Sequence, residues 1–292
     1  MGSVAQLADL VVPAKLRRVI QHVRYTLSDR SELANLKPVP IAFGYDRIYH
    51  FHIRKTAGTS LNFAFRNAFQ QGFSGSANEA ALFSRHWAVH ADRVYVTHNK
   101  YLLERGDYFY GDGHAAFHEV NIPANTFMIT IVRDPIKRIL SHYRMLLYWK
   151  NTNIDHPARK EEEGYLGNSF SDFLDRVPRR HLMRQLYMFS KSLDPAEAIE
   201  TIKKMNFIMV TEDFAEHLRW LGELLQMDLR PYAEKSSYGP VELTEAERAR
   251  LTEILEPEYR LLRAVAPLAG VHLAAGRLMQ AEPSAVGAHI LA

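Results

Sequence analysis

"YHFHIRKTAGTSLNFAF", residues 49–65, runs from an apolar strand-like stretch through a lysine–threonine pair and a small-residue turn into a helix-like stretch. Between Ile53 and Leu61 the chain must stop being a strand, turn sharply and begin a helix. A helix starting there presents free N–H groups and the positive end of its dipole, both of which favour an anion. Lys55 adds a full charge, and the hydroxyls of Thr56, Thr59 and Ser60 suit phosphate oxygens. Ala57 and Gly58 let the backbone approach a ligand, Gly58 is the residue that tolerates positive φ, and Thr59 or Ser60 is expected to cap the helix. The order differs from the usual phosphate loop, G-x-x-x-x-G-K-[ST], because Lys55 precedes the glycine.

"TIVRDPIKRILSHYRML", residues 130–146, repeats this architecture with other side chains. Val132 ends an apolar strand, Asp134 is a good helix N-cap and Pro135 suits the first helical position. Arg133 at the strand end can offer a bidentate guanidinium to a phosphate, and Ser141 can add a hydroxyl; Arg138 and Ser141, three apart, share a helix face. Read without that partner, Arg133 pairs with a carboxylate and Arg138 is solvated. With the first loop, the stretch describes a ligand carrying two separated phosphates.

Four strands are predicted: "RIYHFHI" (47–53), "RVYVT" (93–97), "TFMITIV" (126–132) and "NFIMV" (206–210). Continuous apolar runs of this kind are buried on both faces, which implies a parallel sheet covered by helices. Leu61, Phe65 and Phe69 form one helical stripe; Phe214, Leu218, Leu221 and Leu225 form another. In such α/β sheets the ligand sits at the carboxyl ends of the strands, where Lys55, His98 and Arg133 would meet. Residues 1–40 read as an amphipathic helical lead-in, 41–266 as the main domain and 267–292 as an Ala- and Gly-rich tail. Residues 151–168 are polar, carry a charge run and read as a mobile surface loop.

The 292 residues are 47% hydrophobic and 24% charged, with a formal net charge of +3. That mild excess suits an anionic ligand but falls short of a nucleic-acid-binding surface. The chain has no cysteine, so disulfides, thiolate nucleophiles and Cys-ligated metal sites are excluded. No apolar run approaches the ~20 residues of a membrane span, and the amino terminus lacks a signal-peptide pattern; a cytoplasmic location is the default expectation.

"HIRKTAGTSL" resembles the 5′-phosphosulfate loop of sulfotransferases that use 3′-phosphoadenosine 5′-phosphosulfate (PAPS). "TIVRDPIKRILSHY" is similar to their 3′-phosphate segment, R-D-P-x-x-R-x-x-S-x-Y. The group containing the heparan sulfate 2-O- and 6-O-sulfotransferases and their bacterial relatives is the most similar, over roughly residues 45–260. The absence of an anchor and of cysteines favours a bacterial-type soluble member.

The resemblance implies an α/β fold with a central parallel sheet, related to the P-loop nucleotide kinases, and sulfuryl transfer from PAPS, leaving the bisphosphate PAP, to a hydroxyl or, second, an amine. It implies that Arg54, Lys55, Thr56, Ala57, Gly58, Thr59 and Ser60 hold the 5′-phosphosulfate and that Arg133 and Ser141 hold the 3′-phosphate. Lys235 and Ser236 lie near where related enzymes close a loop over the cofactor. Arg54 departs from the pattern, since many members have proline there.

Sulfuryl transfer needs a base for the acceptor proton and a cation for the departing phosphate. Lys55 suits the second role. Histidine suits the first, and among 14 histidines His98 stands where the resemblance places the catalytic one. His52 reads as packing. The pairs His86/His90 and His114/His118 have i, i+4 spacing but no third ligand, so no metal is expected. The insert "YLLERGDYFYGDGHAAFHEV" (101–120) offers Tyr101, Tyr108, Phe109 and Tyr110 either as the wall of an acceptor pocket or as the apolar anchor of a long loop. Glu119 would orient His98 or contact the acceptor, a glycan or small molecule. Two rivals stay open: a P-loop small-molecule kinase using ATP and Mg²⁺, and a non-catalytic nucleotide-binding protein of the same fold.

Overall fold

The computed structural model describes residues 41–154, 156–232 and 239–273. The expected lead-in over 1–40, Lys235, Ser236 and the tail beyond 273 lie outside the described residues.

All four predicted strands form, and two more join them. The strands are β1 (Arg47–Phe51), β2 (Trp87–His90), β3 (Arg93–Thr97), β4 (Tyr110–Gly113), β5 (Thr126–Val132) and β6 (Phe207–Val210). They make one sheet in the order β2-β3-β4-β1-β5-β6, in which β2 is antiparallel to β3 and every other pairing is parallel. β1 lies between β4 and β5, with Phe51 opposite Gly113 on one side and Thr130 on the other. The strand ends at His98, His114, Ile53 and Arg133 thus form one contiguous edge.

β4, "YGDG", lacks the apolar pattern of a strand because its glycines answer to their neighbours. A Cβ at Gly111 would lie 2.7 Å from the Leu103 side chain, and one at Gly113 would lie 3.1 Å from the Tyr49 hydroxyl. β2 contains both His86-adjacent Trp87 and His90, so the His86/His90 spacing belongs to a strand and its lead-in rather than to a helix.

Side chains alternate across β1, so the sheet has two cores. Ile48 faces α1 (Gly58–Arg66), α2 (Ala77–Arg85) and, further along the chain, helix Phe214–Leu225; the core there includes Leu61, Phe65, Leu82, Phe127 and Leu218. Tyr49 and Phe51 face the opposite layer. That layer holds α3 (Lys100–Arg105), α4 (Pro135–Thr152), α5 (Pro157–Glu162), α6 (Phe170–Arg176), α7 (Arg179–Leu182), α8 (Arg184–Phe189) and α9 (Pro195–Ile202). With Phe214–Leu225 as α10, the long α11 (Glu245–Val265) completes it.

One expectation is corrected. The segment 151–168 is not a surface loop: α4 continues to Thr152, α5 follows, and Glu162 at its end is buried. The stretch just past residue 266 is packed, for Gly270 N donates to Ile208 O at 2.9 Å and Leu273 N to Asn206 O at 2.9 Å along β6.

Candidate active site

The turn after β1 is built differently from its sequence reading. Lys55 and Ala57, not Gly58, take positive φ, at 70° and 64°. Such left-handed positions are unfavourable for residues with a Cβ, and here they flank Thr56 on both sides. Gly58 is required for space: a Cβ there would lie 2.1 Å from the His52 ring and 2.9 Å from that of His50. Ala57 is the N-cap of α1, so Thr59 and Ser60 sit in the first turn instead of capping it. The Thr56 hydroxyl donates to Ile53 O at 2.8 Å and the residue is fully buried. It braces the turn, which removes its side chain from the expected phosphate donors.

The two sequence motifs meet. Arg133 Nη1 donates to Lys55 O at 3.0 Å, joining the end of β5 to the loop after β1. Asp134 caps α4 as expected, accepting from Lys137 N at 2.7 Å, and Tyr259 OH donates to its other oxygen at 3.0 Å. The backbone of Arg133 is held on both sides by Gln185, whose Oε1 accepts from Arg133 N at 2.8 Å while its Nε2 donates to Arg133 O at 3.0 Å. Glu258 of α11, fully buried, in turn accepts from Gln185 N at 2.7 Å. Arg138 is buried as well, 3.7 Å from Glu258 and donating to His181 O, so it is a structural ion pair rather than a solvated side chain.

Arg54 finds its partner in the segment read as a loop. Its guanidinium forms an ion pair with Glu162 Oε1, and His142 Nε2 donates to Oε2 at 2.8 Å. Burial pushes the Glu162 carboxyl up, but the His142 hydrogen bond and the Arg54 charge outweigh it and hold the group down at about 2. A cavity of about 330 Å³ opens beside this cluster. Arg54, Arg180, Arg184 and His114 contribute to its lining, with Glu119 and Tyr187 on another part of the wall. Arg184 Nη2 donates to His114 O at 2.6 Å, while its Nε is buried without a hydrogen-bond partner among the described residues.

Four histidines line up at the strand ends. His50 stacks on His52 at 5.0 Å, His52 meets His114 at 4.5 Å, and His114 meets His98 at 4.7 Å. His52 is buried packing, as expected. His114 Nδ1 lies 2.7 Å from His52 O; a carbonyl only accepts, so Nδ1 carries the proton and Nε2 keeps its lone pair. Burial, then the His98 charge, lower the His114 pKa to about 3, so the ring is neutral at physiological pH. His98 is solvent-exposed, has φ of 53°, and does not line the cavity.

Other expected residues are placed elsewhere. Tyr108, Phe109 and Tyr110 are buried in the two cores, so their rings are not available to an acceptor. Tyr101 is half-buried against the core, with Arg105 over its ring at 5.7 Å. Of the two readings of that insert, apolar anchoring holds for these rings. Glu119 does line the cavity, but it accepts from Tyr187 OH and Ala116 N, both at 2.8 Å, and does not orient His98. Sequence reasoning gave no site role to the cavity-lining residues His114, Arg180, Arg184 and Glu162. The first had a usable signal, since it follows a buried strand at the same edge as His98; the others come from helices whose approach no local pattern encodes. Among the described residues no three metal-ligating side chains cluster, and no helix is long and apolar enough to cross a membrane.

A largely parallel sheet with two strand–turn–helix elements joined at its carboxyl edge is an α/β architecture that takes its ligand at the strand ends. The chain belongs to the sulfotransferase family, whose sequence profile matches residues 41–261. Among solved structures, a sulfotransferase from Alicyclobacillus acidocaldarius is similar at 12% identity, with a TM-score of 0.36 over 75% of this chain and 95% of that one. No curated protein matches.

Proposed function

We propose that the protein transfers the sulfuryl group of PAPS to a hydroxyl of a small-molecule or glycan acceptor. In this reading the loop 54–60 receives the 5′-phosphosulfate, through backbone N–H groups, Lys55 and the hydroxyls of Thr59 and Ser60. Arg133 and Ser141 receive the 3′-phosphate, and the cavity beside Arg54 receives the acceptor. The observation that carries the reading is the 3.0 Å bond from Arg133 to the Lys55 carbonyl, which brings together the two segments read as phosphate-binding.

PAPS, when bound, supplies the electrophilic sulfur and a good leaving group; the chain positions it, neutralises charge and takes one proton. Lys55 stabilises the phosphate that departs. His114 is the base this geometry favours: it lines the cavity, it is neutral, and its hydrogen bond leaves a lone pair on Nε2. An anionic sulfuryl group beside it raises its basicity toward the working range. His98, the residue expected from sequence, is the second reading, because it touches the His114 ring and is open to solvent. The cationic lining at Arg180 and Arg184 suits an acceptor that carries an oxyanion.

The test is thermal stabilisation by PAP against ATP plus Mg²⁺. Stabilisation by PAP alone is expected. A shift with ATP–Mg²⁺ alone would replace this reading with the kinase one, and a PAP shift without transfer to any hydroxylated acceptor would favour a binding protein.

A further inference from the structure

Arg133 has a neighbour of the same charge. Arg144 stands on α4 three residues beyond Ser141, so the two share a helix face. Helical side chains lean toward the N-terminus, which carries the Arg144 guanidinium back over the Ser141 turn in the direction of Arg133. Burial is the first cause lowering the Arg133 pKa; Glu212 and Asp134 oppose it, and the Arg144 charge adds a smaller push downward.

Both Arg133 and Arg144 have a buried Nε with no hydrogen-bond partner among the described residues. The acidic groups around Arg133 are Glu212 and Asp134. Glu212 lies 3.8 Å from Lys137 Nζ, and Asp134 is occupied by the α4 N-terminus and Tyr259. Arg133 already donates through Nη1 to Lys55 O, but its Nε and that of Arg144 remain buried donors without a partner among the described residues, and a single dianion would satisfy both. A phosphate monoester carries that charge and accepts from two guanidinium forks, whereas a hydroxyl does neither.

We propose that Arg144 is a third ligand of the 3′-phosphate, completing a site with Arg133 and Ser141 and selecting a 3′-phosphorylated nucleotide over its unphosphorylated counterpart. This rests on the two-phosphate reading of the donor. Neither sequence motif contains Arg144 among its defining positions.

Titration calorimetry of the full chain with PAP and with adenosine 5′-monophosphate tests it. Wild type is expected to prefer PAP. Arg144→Gln should weaken PAP at least ~10-fold while leaving the monophosphate within about twofold, and Arg144→Lys should recover part of the loss. Equal PAP affinity in wild type and Arg144→Gln overturns the role of Arg144 alone. An equal loss for both nucleotides makes Arg144 a structural residue and also overturns it. A wild type that does not distinguish PAP from the monophosphate overturns the two-phosphate reading together with it.

Discussion

Glu162, buried at the end of α5, holds the guanidinium of Arg54 at the start of the anion loop. The residue that departs from the resemblance's pattern is here pinned by charge, and the pin reaches across from the segment that lines the cavity. Because Glu162 is buried and Arg54 half-buried, removing one leaves the other short of its partner. Glu162→Gln should therefore destabilise the protein by on the order of 3 kcal/mol. Arg54→Ala should cost at least as much, since it strands the buried Glu162 carboxylate, whereas Glu162→Gln leaves a guanidinium that still reaches solvent. In a double-mutant cycle by urea denaturation the two should be strongly non-additive; additive values would show that the pair does not act as a unit.

The histidine pair separates by kinetics. His114→Ala should cut PAPS-dependent transfer at least ~10²-fold with PAP affinity nearly unchanged, and His98→Ala should cost roughly 10-fold or less. The reverse ranking would move the base to His98. No effect from either would remove histidine from proton transfer.

Gly58→Ala tests the packing of the loop on the histidine stack. The new methyl would meet the His52 ring, which is itself held between His50 and His114. A loss of about 1–3 kcal/mol in stability is expected, with PAP affinity falling as the loop is displaced. Unchanged thermal stability and affinity would mean that the rings move aside freely.

Acid pH should unfold the protein well before its carboxylates titrate. Burial is the first cause lowering His50, His142 and His181 to about 4, and His114 to about 3. In the unfolded chain these rings bind protons from about pH 6.5 downward. Between roughly pH 6.5 and 4 the unfolded state thus holds more protons, and stability falls as pH falls. Glu162, held at about 2, adds its own loss only below about pH 4.5. Urea midpoints should decline steadily from pH 7 to 5, and His50→Gln should flatten the slope. A flat profile would contradict neutral burial of these rings.

Much of the fold follows from local pattern. The apolar runs that became β1, β3, β5 and β6 are buried on both faces, and only a helix-covered parallel sheet buries a strand that way. The turn after β1 and the cap at Asp134 are legible for the same reason: a strand must become a helix within a few residues, and few residue types permit it. The meeting of Lys55 and Arg133 follows from strand order once the sheet is parallel.

What the sequence alone could not show is set by contacts between distant segments. β4 reads as a loop because its glycines are chosen for the Leu103 and Tyr49 side chains that press on them. Arg54 looks anomalous until Glu162 arrives from 108 residues away, and Tyr108, Phe109 and Tyr110 look available until the two cores close over them. Local composition determined that β1 and β5 each give way to a helix through a short turn rich in hydrogen-bond donors. Tertiary packing decided which histidine faces the cavity, because burial and a single carbonyl partner, not residue type, set the proton and the lone pair on His114.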